Sequence, residues 1–95
     1  MNEFFVHLGD EWVKAAQRRG ATIERPELDS RIALELLELA RVAAHTQERR
    51  FAPLTCYLAG VAAERLRVAN GSSSETLAAF VLEVRQTLER EVPGL

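Results

Sequence analysis

Residues 30–63 read SRIALELLELARVAAHTQERRFAPLTCYLAGVAA, and the recurrence of apolar side chains within them decides the fold class. In the first half Ile32, Leu36, Leu39, Ala40 and Ala43 fall at three- and four-residue steps, with Leu34 and Leu37 widening the stripe. That period is helical, because an α-helix returns to one face every 3.6 residues. The second half repeats it through Leu54, Tyr57 or Leu58, Val61, Ala62 and Leu66. Pro53 separates the two, since its fixed φ suits the first helical position and its missing N–H is no loss there. The spacing predicts a helix over 30–46 and a second over 53–69, meeting at a corner.

Working outward, Phe5, Leu8, Trp12 and Ala15 or Ala16 mark an amphipathic helix over about 3–19, with Asn2 as its N-cap and Gly20 as a left-handed stop. Gly9 weakens its middle by roughly 1 kcal/mol relative to alanine, so a start at Asp10 is the alternative. The segment 21–29, with Pro26, reads as a loop ending on Asp29 or Ser30, either of which can cap the next helix. Downstream, Asn70 and Gly71 form a stop, and Ser72 stands three residues before Glu75, the spacing of a capping box. A last helix over about 75–91 turns Leu77, Val81, Val84 and Leu88 inward and ends at Pro93. No strand-like alternation interrupts the pattern. Four helices of roughly 25 Å with short connections predict an all-α, compact antiparallel four-helix bundle forming a single domain, 1–95.

The 95 residues, 47% hydrophobic and 27% charged, suit one small core. A formal net charge of −2 supplies no positive field for phosphate neutralisation, so neither nucleic acid nor an anionic membrane surface is expected as a partner. The single Cys56 cannot form an internal disulfide. The apolar start FFVHLG is too short for a signal peptide, and no stretch approaches a membrane span, so a cytoplasmic location is expected.

Chemistry concentrates at the corner. Arg41, His45, Arg49 and Arg50 gather there against Glu48 alone, with Thr55 just inside the next helix. As a structural device these cations complement the negative pole of the helix over 30–46. As a site, they face the N-terminus of the following helix, where Ala52, the expected N-cap, has no side-chain acceptor and bare amides suit a small anion or nucleotide phosphate. Catalysis lacks a nucleophile with a neighbouring base, and Cys56 among apolar neighbours reads as an inert thiol. His7 and His45 offer no metal-ligand spacing, no cofactor motif is present, and no enzyme is expected. Glu35, Glu38, Glu83, Glu89 and Glu91 read as solvated faces. Surplus apolar residues, Phe4, Trp12, Phe51 and Phe80, are hard to bury in so small a bundle and read as a partner surface, for another protein or for a second copy in a homodimer.

The central stretch also resembles a family of small helical bacterial domains of uncharacterised function with the pattern LLDLARxxAH followed by RPAAPLTT[FY]LxG. The matching residues are Leu36, Leu37, Leu39, Ala40, Arg41, Ala44, His45, Arg49, Ala52, Pro53, Leu54, Thr55, Tyr57, Leu58 and Gly60. Arg50, Phe51 and Cys56 depart from it, standing where the pattern has proline, alanine and threonine. Members occur alone or joined to proteins that look like the guanylyltransferase of molybdenum-cofactor maturation, so the resemblance implies an accessory role in molybdopterin-guanine dinucleotide synthesis.

Overall fold

The computed structural model describes residues 2–91, and Pro93, the expected end of the last helix, lies outside them. Four helices account for the regular structure: α1 (Glu3–Gln17), α2 (Ser30–Thr46), α3 (Phe51–Asn70) and α4 (Ser74–Glu91). No strand occurs among the described residues. The all-α class and the number of helices are those the periodicity predicts. The chain divides into two compact units, 1–30 and 31–95.

In the first unit α1 begins where the Asn2 side chain accepts a hydrogen bond from the Phe4 amide at 2.7 Å. It ends at Gln17, and three residues on Gly20, at φ +79°, lets the Ala21 amide return to the Ala16 carbonyl at 3.0 Å. The helix does not break at Gly9. Gly9 is the buried residue of α1, because the Pro26 carbonyl and the Arg25 side chain of the following loop pack onto it. Arg25 also reaches Asp10 at 3.5 Å and Glu27 at 3.0 Å, fastening the loop to α1.

The second unit holds α2, α3 and α4, joined by turns over 47–50 and 71–73. Arg31 and Glu75, from the first turns of α2 and α4, approach to 3.7 Å, and Arg85 of α4 reaches Glu35 of α2 at 3.5 Å. So α2 and α4 run the same way, and α3 returns between them. Leu39, Val42 and Ala43 from α2, Ala63 from α3, and Leu77 and Val81 from α4 form the buried core. Glu35 and Glu89 are half-buried rather than solvated, because Arg85, with its side chain 17% exposed, takes Glu89 at 2.6 Å and Glu35 from the two sides.

Three boundaries differ from the expected ones. The first helix stops at Gln17. α3 begins two residues early, at Phe51, with Pro53 still inside the first turn where no amide is required. α4 is capped one residue later than the Ser72 spacing suggests: the Ser73 hydroxyl accepts from the Thr76 amide at 3.3 Å, while Ser72 bonds Asn70. Gly71, at φ +67°, closes α3 as expected, its amide bonded to the Arg67 carbonyl.

Candidate functional site

The corner between α2 and α3 is built from the last turn of α2 and the four-residue turn after it. Arg41 and His45 lie one helical turn apart, and with Val42, Thr46 and Glu89 they line a shallow cavity of about 280 Å³. Arg41 is already engaged, its Nε donating to Glu38 at 2.8 Å. That bond holds the Glu38 carboxyl below the usual carboxylate range and raises the guanidinium. The Arg50 side chain is 79% exposed and donates to Glu48 at 2.9 Å. Arg49 is exposed, with no ion pair among the described residues. Because α3 starts at Phe51 and not at Pro53, its first amides belong to Phe51 and Ala52, and both are used: the Phe51 amide bonds the Glu48 carbonyl at 3.0 Å and the Ala52 amide the Arg49 carbonyl at 3.1 Å. Pro53 has no donor to give. Thr55 is half-buried and faces elsewhere, into an apolar groove. The five residues expected to share one anion site are thus divided, with Arg41 and His45 in the cavity, Arg49 and Arg50 on the turn, and Thr55 apart.

Cys56 is half-buried, and its thiol lies 3.6 Å from the Leu36 carbonyl, a weak donor in contact with the neighbouring helix. Burial pushes its pKa up, the opposite of what a nucleophilic thiolate needs. No group of three metal-ligating side chains is gathered among the described residues. Among the described residues no helix is long and apolar enough to cross a membrane.

Apolar surface is the more developed feature. A groove of about 260 Å³ runs between α3 and α4, bounded by Leu58, Ala59 and Ala62 on one side and Phe80, Val81 and Val84 on the other, with Leu39 beneath. Of the four side chains expected at a partner surface, Phe80 lines this groove and Phe51 is half-buried on α3. Phe4 and Trp12 stand exposed on α1, with the Phe4 ring edge-on to Phe5 at 5.1 Å.

The periodicity misplaces the largest part of this surface. Leu54, expected to face inward with Tyr57 or Leu58, is 61% exposed, and both of those are exposed too, at 71% and 67%; Leu34 and Leu37 of α2 are similarly exposed. Val61, Ala62 and Leu66 of the expected set are half-buried, and the rest of the inward side is built from small residues, Thr55, Ala59 and Ala63. α3 is apolar on both sides, and a helix with two apolar sides gives one period and two candidate phases. Residue size was the available signal.

A family model described as domain of unknown function (DUF6457) matches residues 6–93. No curated protein and no solved structure matches the chain.

Proposed function

The chain belongs to that uncharacterised family, and from its surface chemistry we propose that it is a non-enzymatic module acting through contacts with protein. One observation carries the reading: α3 presents Leu54, Tyr57 and Val68 to solvent on the side away from the core, with Leu58 exposed at the rim of the α3–α4 groove. Clustered apolar surface of this kind on a small domain marks an interaction site. The pathway we attach to it, an accessory role in molybdopterin-guanine dinucleotide synthesis in the cytoplasm, is supported by the sequence resemblance alone.

The test is a photo-crosslinking residue placed at Tyr57, with an exposed polar position of α1, Gln17, as reference. Discrete protein adducts at Tyr57 and none at Gln17 are expected; equal labelling at both positions, or none at Tyr57, would count against the reading. An adduct containing a guanylyltransferase-like protein supports the pathway, and adducts that consistently exclude one remove it.

A second reading, a small anion or nucleotide phosphate held at the corner, is favoured by exposed Arg49 beside the Arg41 and His45 cavity. Phosphate or GTP at about 100 times its dissociation constant would then stabilise the fold by about 2.7 kcal/mol. Thermal denaturation indifferent to both, or a shift that survives Arg49→Ala, eliminates it.

A further inference from the structure

We propose that the outward side of α3 pairs with a second copy of this chain, the two helices lying antiparallel with Val61 at the two-fold axis. The inference rests on the protein-contact reading above and names the partner.

Leu54, Tyr57, Val61, Glu64 and Val68 recur at alternating three- and four-residue steps, the spacing of a helix-pairing seam. A two-fold interface must be complementary to itself, and an antiparallel pair centred on Val61 sets each position against its mirror image about that residue. Leu54 then meets Val68, and Leu58 meets the aliphatic stem of Glu64, whose carboxylate is held aside by Arg67 at 2.6 Å. Tyr57 meets Arg65. Tyr57 is 71% exposed, and Arg65, inside the apolar stripe, has no ion pair among the described residues. An arginine over a tyrosine face is an attractive cation–π contact, whereas parallel pairing would set Arg65 against Arg65. Antiparallel pairing also brings Arg49 beside the carboxyl end of the opposing α3, where the helix dipole is negative. The charges left over on one copy are those the other copy can use.

The seam from Leu54 to Val68 is roughly 21 Å long at 1.5 Å per residue. A single helix pair of that length falls in the class of interfaces below about 1,200 Å². Interfaces of that size belong to the weak, transient class, so the mass in solution is expected to rise with concentration.

Sedimentation and light scattering of the full chain between about 1 µM and about 1 mM test this. We expect a monomer–dimer equilibrium weakened at least about tenfold by Tyr57→Asp and by Arg65→Glu, and largely restored by Arg65→Lys, with helical circular dichroism retained. Register is read by disulfide trapping with diamide in the Cys56→Ser background. Val61→Cys should link to itself, and Leu54→Cys should link to Val68→Cys but not to itself. A self-linking Leu54→Cys, or a dimer indifferent to Tyr57→Asp, overturns the proposal. A monomer at every concentration that still gives foreign adducts at Tyr57 overturns self-pairing and leaves the protein-contact reading standing; a monomer without adducts overturns both.

Discussion

Gly9 shows how one residue can be read correctly for its cost and not for its reason. Within α1 a glycine is about 1 kcal/mol worse than alanine, and propensity alone recommends Gly9→Ala. A β-carbon there would sit 2.7 Å from the Pro26 carbonyl and 2.8 Å from Arg25 Cγ. The arginine can swing away, but the carbonyl belongs to the backbone and cannot. Gly9→Ala is therefore expected to destabilise the first unit by about 1–3 kcal/mol. Gly60→Ala, on α3 with nothing within 4 Å of the new carbon, should stabilise by about 0.5–1 kcal/mol. Urea denaturation followed by the fluorescence of Trp12 for the first variant, and by circular dichroism for the second, measures both. Gains of equal sign would contradict the packing of Pro26 on α1. No local pattern announces that packing, because the partner of Gly9 lies 17 residues away in a loop.

At the level of helices, the ends were readable wherever a single residue type performs the capping: Asn2, Gly20 and Gly71 act as their chemistry predicts. The phase of α3 was not, because both of its sides are apolar and the side that packs is the one with the smaller residues. The tie between α2 and α4 was equally hidden. Periodicity sends Glu35 and Glu89 to solvent, whereas Arg85, fifty residues from Glu35, draws both inward. Arg85→Ala leaves two half-buried carboxylates without their cation and is expected to cost about 1–3 kcal/mol, read as a lower denaturation midpoint. Arg85→Lys should recover only part of it, since one ammonium lacks the planar fork that addresses two carboxylates at once. Full recovery by lysine would reduce Arg85 to a simple charge.

For the whole molecule, composition and periodicity suffice for the all-α class. The candidate site was less legible. Arg41 and His45 line the cavity while Arg49 and Arg50 lie on the turn, and Glu38 and Glu48, three and two residues away in sequence, occupy Arg41 and Arg50, while carbonyls of the turn occupy the first amides of α3. Short-range neutralisation of this kind depends on rotamers, which a pattern of residue types does not contain. The apolar stripe of α3 is legible in the composition and its direction only in part: Ala62 and Leu66 pack as the period predicts, whereas Leu54, Tyr57 and Leu58 are exposed.

The buried core of the second unit contains nothing larger than leucine: Leu39, Val42, Ala43, Ala63, Leu77 and Val81. With no aromatic side chain fully buried among the described residues, unfolding hydrates less new hydrocarbon than a larger core would, and hydration of hydrocarbon is what gives protein melting its large positive heat-capacity step. Calorimetry should find that step below the usual value of about 12–15 cal per mole per kelvin per residue, with a shallow dome of stability against temperature. Warming and cooling would then change the folded fraction gently, and whatever covers the outer side of α3 would set its melting point more than the interior does.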